Sequence, residues 1–186
     1  RARPGSRPAA RMREFVMAIR AIWRTWNEDE PLRFRGEFYT HTIMTPFFNP
    51  GPNPFGTPRI FLAAVGPKMM EMTGEVGDGV FLHPLNTKGF IRDVALPSIH
   101  KGLATSGRRL EEFEISCQTI CMVGSSDEEI AKARSKARGQ ISFYGSTPAY
   151  KVVLDHAGWG DLQPRLNRMS KEGQWIEMMD LITDDM

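Results

Sequence analysis

The segment Ala64-Val65-Gly66-Pro67-Lys68 joins the end of an apolar run to the start of a helical pattern, and its residue types suit an anion. The first N–H groups of a helix have no partner inside the helix, and the macrodipole adds partial positive charge there. Phosphate is held well at such a place. Gly66 has no Cβ, so an anion can come close to its backbone. The Lys68 side chain can add a charge or point to solvent. The same strand-Gly-Pro-helix turn also serves as an ordinary connection in α/β proteins, so spacing alone leaves both roles open.

A second position of interest is His83, which follows the apolar run 79–82 and precedes Pro84. A neutral imidazole there can donate to a phosphate or ring oxygen, or make a local hydrogen bond as a loop residue. Asp78 lies between Gly77 and Gly79 and is read as a brace for its turn, because Asp commonly bonds nearby backbone. Tyr144 and Tyr150 either line a substrate pocket or pack at a helix start. His41, His100 and His156 have no convergent partners in sequence and are given surface or structural roles. Cys117 and Cys121, four apart, suggest neither a zinc site nor a disulfide framework and read as free thiols of a reducing cytoplasm. No Ser-His-Asp arrangement, metal-ligand cluster or Walker-type loop stands out, so no catalytic residue and no metal site is assigned. That fits chemistry carried by a cofactor, with the protein supplying position and electrostatics.

The elements that must hold these residues follow from periodicity. Residues 9–27 show Met12, Phe15, Val16, Ile19, Trp23 and Trp26 at helical spacing. Residues 34–39 suit a short edge strand or an extended excursion, and the five prolines of 45–58 exclude a regular ladder. The unbroken apolar run 60–65 reads as a strand covered on both faces, as in a parallel sheet. Helix is expected over 67–76 with Gly77 as its cap, strand over 79–82, and helix over 87–105 with Phe90, Val94 and Ile99 in the core. Residues 113–123 form the longest strand candidate. Ser126 and Glu129 have the form of a capping box, opening a helix to about Gly139. Thr147-Pro148 opens another helix, closed by Ala157-Gly158, and residues 161–186 read as one or two more. Alternating strands and helices argue for parallel strands joined by crossovers. Three core strands cannot close an eight-stranded barrel, which takes roughly 200 to over 400 residues.

With 186 residues, 41% hydrophobic and 25% charged, the chain has the composition of a soluble globular domain. Its formal charge of +2 gives no strong attraction to nucleic acid. The basic cluster Arg1, Arg3, Arg7, Arg11 and Arg13 is read as a solvated helix face or ragged end. No apolar run approaches the ~20 residues of a membrane span. The start, interrupted by Pro4, Gly5 and Pro8, lacks the pattern of a signal peptide.

The run from Ile60 to Met69, followed by Gly74-Glu75-Val76-Gly77-Asp78-Gly79-Val80, resembles the bacterial-luciferase-like oxidoreductases, most of all the branch using the deazaflavin coenzyme F-420. Three further segments agree: Arg11-Met12-Arg13-Glu14-Phe15 with Trp23, Gly36-Glu37-Phe38-Tyr39, and residues 143–150. The resemblance implies an α/β fold, a partial TIM-type barrel comprising about strands five to seven and truncated at both ends. Residues 1–58 would supply a helix and Pro-rich loop, 59–140 the core βα units and 141–186 a helical part. The resemblance also implies cofactor-binding residues: Ala64, Val65 and Gly66 at the phosphate, with Leu82 and His83 bordering the cofactor. Many members have two glycines before the proline; Val65 replaces the first here. The implied activity is hydride exchange between F-420 and a small organic substrate. The alternatives are an FMN-dependent monooxygenase on the same scaffold and a non-catalytic binding or structural protein. Unsatisfied strand edges suggest self-association, such as a homodimer.

Overall fold

The computed structural model describes residues 7–186, so Arg1, Arg3, Pro4 and Gly5 lie outside it. The elements in chain order are α1 (Pro8–Glu28), β1 (Phe34–Arg35), β2 (Thr40–His41), β3 (Phe61–Ala64), α2 (Pro67–Val76), β4 (Gly79–Leu82), α3 (Lys88–Phe90), a π-helical stretch (Ile91–Ala95), α4 (Leu96–Thr105), β5 (Glu114–Cys117), α5 (Asp127–Gly145), α6 (Lys151–His156) and α7 (Leu162–Lys171). Short 3-10 turns lie between some of them. The chain divides into two compact units. One runs to Leu62 and adds Lys68–Val80 and Ser98–Ile115; the other comprises Ala63–Pro67, Phe81–Pro97 and Ser116–Met186. The strands β3, β4 and β5 form a small parallel sheet in that order, with β4 central.

In the first unit, α1 opens with proline at its first position, where the missing N–H is no loss. Val16, Ala18 and Thr25 are buried, whereas Phe15, one of the apolar residues at helical spacing, is 44% exposed. Of the stretch 34–39, only Phe34–Arg35 is strand and residues 36–39 form the turn of a hairpin, with β1 and β2 antiparallel and Phe34 opposite His41. Its cause is Glu14. The carboxylate of this residue accepts the N–H groups of Glu37, Phe38 and Tyr39 at 2.9, 2.7 and 2.6 Å. Gly36 lets the turn come that close, since a Cβ there would lie 2.0 Å from Glu14 Oε1. Residues 45–58 hold only a 3-10 turn, Pro46–Phe48.

The beginnings of the sheet strands are pinned by Asp78, as expected of a brace. Its Oδ2 accepts from Ile60 N–H at 2.7 Å, and its Oδ1 from Arg20 at 2.8 Å. The Asp78 carbonyl accepts from Glu114 N–H, and Asp78 N–H donates to the Ile60 carbonyl. Gly77 N–H bonds the Thr73 carbonyl at the end of α2.

Several expected elements change at their edges. Ala63 is exposed and Phe81 is 43% exposed, so neither run is covered on both faces. As an outer strand of three, β3 has a neighbour on one side only. The strand expected over 113–123 stops at Cys117. Its neighbour β4 has ended at Leu82, so the alternating residues beyond Cys117 have no ladder to join. The helix expected over 87–105 contains the π-helical stretch, where Leu96 N–H donates to the Ile91 carbonyl, five residues back. Pro97, lacking an N–H, follows at once, and the irregular turn accommodates it. Phe90 and Ile99 are fully buried as expected, and Val94 is half-buried.

In the second unit, Ser126 accepts from Glu129 N–H, while the Glu129 carboxylate accepts from Ser125 and not from the cap residue itself. α5 passes Gly139 and ends at Gly145. Gly158, at φ 83°, ends the helical segment begun at Thr147-Pro148. Leu166, Met178 and Ile182 form a buried cluster, with Ile141, Leu162 and Met169 packed on it.

Candidate functional site

The turn between β3 and α2 leaves its backbone free. Ala64 is the last residue of β3 and is buried at 3% exposure. Val65 and Gly66 are half-buried. Outside the sheet ladder, neither amide donates to an acceptor among the described residues. A Cβ built on Gly66 would meet no heavy atom within 4 Å. Two half-buried amides with no acceptor outside the sheet ladder among the described residues, beside open space and just before a helix, fit a phosphate.

Leu82 ends β4 and is 1% exposed, so the residue packs in the core. Adjacent strand order puts the ends of β3 and β4 side by side within the second unit. His83 follows immediately. Its Nδ1 accepts the Leu85 N–H at 3.2 Å, and its carbonyl accepts the Asn86 N–H at 2.9 Å. Burial pushes the His83 imidazole below its usual pKa and favours its neutral form. With Nδ1 occupied as an acceptor, the proton of the neutral ring sits on Nε2.

The His83 ring lies 4.2 Å from that of Tyr150, stacked at 25°, and 4.5 Å from that of Tyr144, edge-on at 87°. Of the two readings of these tyrosines the packing one is observed, and what they pack is the histidine at the strand end. A cavity of about 510 Å3 adjoins the same loop, lined by Leu85, Asn86, Ile120, Val153, Leu154 and Trp159 among others. Another, of about 720 Å3, lies in the first unit near Asp29, Arg33 and Arg35 and contains none of the expected site residues.

Sequence reasoning missed the Leu85 amide that fixes the His83 tautomer, and it left the tyrosines unconnected to His83. A separation of some sixty residues carries no local signal for such a contact. The remaining histidines take structural or surface places: His156 pairs with Asp93 at 3.3 Å, and His41 stacks on Tyr39. Cys117 and Cys121 are exposed free thiols. No group of three His, Cys, Asp or Glu residues able to hold a metal occurs among the described residues. No described helix is long and apolar enough to cross a membrane.

A family model described as luciferase-like monooxygenase matches residues 3–186. The chain belongs to this family. Within reach of the luciferase-like proteins, an uncharacterized protein of Mycobacterium tuberculosis is 52% identical over 183 residues, covering 98% of this chain and 54% of the relative. An F-420-dependent glucose-6-phosphate dehydrogenase of Kineococcus radiotolerans is 31% identical over 130 residues, covering 69% of this chain and 35% of the relative. The fold matches that of the coenzyme F-420-dependent tetrahydromethanopterin reductase of Methanopyrus kandleri with a TM-score of 0.71 at 21% identity, over 96% of this chain and 48% of that one. The chain therefore spans about half the length of the relative it matches best among these, and its α/β fold is that of a luciferase-like barrel enzyme. Its relatives include F-420-dependent oxidoreductases.

Proposed function

We propose that the protein is an oxidoreductase that exchanges hydride between the deazaflavin coenzyme F-420 and a small organic substrate. In this reading β3, β4 and β5 are about strands five to seven of a TIM-type barrel. When bound, the deazaflavin supplies a two-electron hydride carrier. The chain's own contribution is positioning. The amides of Ala64, Val65 and Gly66 hold the phosphate, the backbone at Leu82 borders the cofactor, and His83 borders the same space. No residue is assigned to the chemical step.

The observation that carries this reading is the turn at residues 65–66, with amides that have no acceptor outside the sheet ladder among the described residues and with open space over Gly66. A helix start alone would suit many anions. The dehydrogenase relative named for F-420 directs the choice to a deazaflavin. The family's description as monooxygenases keeps FMN as a second reading, since FMN presents a phosphate to the same turn.

The two cofactors separate by spectrum. Titration of the purified protein with F-420 and with FMN, each followed by its own fluorescence, is expected to give saturable binding of F-420 and weaker binding of FMN. Saturation by FMN with none by F-420 would transfer the assignment to the monooxygenase reading. Binding of neither would remove both and favour the non-catalytic alternative.

A further inference from the structure

The three rings of His83, Tyr144 and Tyr150 form one cluster: Tyr144 and Tyr150 are themselves 6.2 Å apart at 86°. All three residues are half-buried. Among the described residues, His83 Nε2 and the two phenol oxygens make no hydrogen bond or ion pair, and none of the three is a buried atom lacking a partner. Ring faces and edges are therefore satisfied inside the protein, while three polar atoms remain open to solvent or ligand.

The cluster is also set up chemically. The Leu85 amide occupies Nδ1, so the accessible nitrogen Nε2 carries the proton of the neutral ring and can only donate. Tyr150 stacked on one face and Tyr144 against the ring limit rotation of the imidazole. A phenol can donate or accept. One fixed neutral donor beside two adaptable hydroxyls suits a neutral oxygen acceptor, such as a carbonyl or alcohol, better than a carboxylate, which calls for a cation.

We propose that His83, Tyr144 and Tyr150 bind an oxygen of the organic substrate, with His83 Nε2–H and the Tyr150 hydroxyl as donors and both tyrosine rings holding the imidazole in place. This deepens the oxidoreductase reading, on which the existence of an organic substrate rests. It moves His83 from the border of the cofactor to the substrate.

The test uses the wild-type protein and two conservative variants, Tyr150→Phe and His83→Gln. Long-range 15N–1H correlation at pH 7.5 is expected to show His83 with its proton on Nε2; a proton on Nδ1, or a cationic ring, would overturn the proposal without any variant. Cyclohexanone and cyclohexanol serve as probes, with cyclohexanecarboxylate as the charged control. The neutral probes are expected to shift the His83 and Tyr150 ring signals saturably, and the carboxylate to bind more weakly. Tyr150→Phe removes one hydroxyl and keeps the ring. It is expected to weaken cyclohexanone binding about three- to tenfold, the scale of one neutral hydrogen bond, and to leave F-420 affinity unchanged. No ring shifts, or tighter binding of the carboxylate, would overturn the proposal. Variants that weaken F-420 while sparing cyclohexanone would overturn it too, and leave the cofactor reading standing. Cyclohexanone binding at His83 in a protein that takes up no deazaflavin would support it and sink the cofactor reading instead.

Discussion

Gly102 of α4 faces the carbonyl oxygen of Glu71 in α2 so closely that a Cβ at Gly102 would sit 1.9 Å from it. The contact is reciprocal, since a Cβ at Gly74 of α2 would lie 2.4 Å from the Ile99 carbonyl of α4. Two helices thus meet backbone to backbone through one glycine each. The obstructing atoms are main-chain oxygens, which cannot swing away as a flexible side chain can. Gly102→Ala should force the helices apart at a cost of about 1–3 kcal/mol, the range for overpacking. In a domain of this size that lowers Tm by several degrees. Thermal unfolding of the variant checks it, and an unchanged Tm would refute the close contact.

The Glu14 carboxylate should make the hairpin sensitive to acid. Desolvation raises its pKa, but the N–H groups of Tyr39, Phe38 and Glu37 and the charge of Arg7 outweigh this, and the net shift is downward. A depressed carboxylate contributes stability above its unfolded value of about 4.3, and that contribution is lost as pH falls through the lower folded value. Hydrogen exchange of the Tyr39 amide should accelerate in that acid range, and Glu14→Gln should already show fast exchange at pH 7. Equal protection of the amide in the variant and the wild type would contradict the account.

Asp78 and Arg20 should couple measurably. The pair is at 2.8 Å and partly buried, and the same carboxylate also accepts the Ile60 N–H. Asp78→Ala leaves both donors without it, at a cost of about 1–3 kcal/mol. A double-mutant cycle with Arg20→Met is expected to give a coupling energy of about 0.5 kcal/mol or more, beyond ordinary additivity error. Strict additivity would mean that the ion pair contributes nothing and that the backbone bond alone braces the turn.

His83 responds to pH in the opposite sense to a histidine with an acidic partner. Burial lowers its folded pKa below the unfolded value of about 6.5. The unfolded state therefore binds more protons in that interval. Stability is retained above about 6.5 and declines as pH falls toward the lower folded value. Urea midpoints of wild type and His83→Gln should converge as pH falls from 7 to 5, after allowance for a pH-independent offset. Parallel midpoints across that range would contradict a buried neutral imidazole.

Local features were legible in sequence and long-range ones were not. The observed limits of α2 and β4 are those expected, because a proline at a helix start and glycines flanking a short apolar run act within a few residues. Residues 113–123 alternate like a strand, yet alternation says nothing about where the neighbour ends, and the ladder stops at Cys117. Gly139 looked like a helix end, but tertiary contact decides. It lies inside α5 with Met179 beside it, where an added Cβ would meet only ordinary van der Waals distances. The Glu14 grip on the hairpin and the paired glycines of α2 and α4 join residues distant in sequence, with no periodicity to announce them. At the candidate site the turn at 64–66 stood out because its glycine and proline are adjacent. The packing of His83 against Tyr144 and Tyr150 needed the fold.

The central claim is that the backbone at residues 64–66 grips a cofactor phosphate, and Gly66→Leu tests it most directly. The space over Gly66 is open and its φ lies outside the left-handed region, so a side chain there has no protein atom to displace. Stability should stay within about 0.5 kcal/mol, as for surface substitutions. The F-420 dissociation constant, read by fluorescence titration, should rise about tenfold or more as the leucine fills the approach to the amides. Unchanged affinity in a variant that folds normally would contradict the claim.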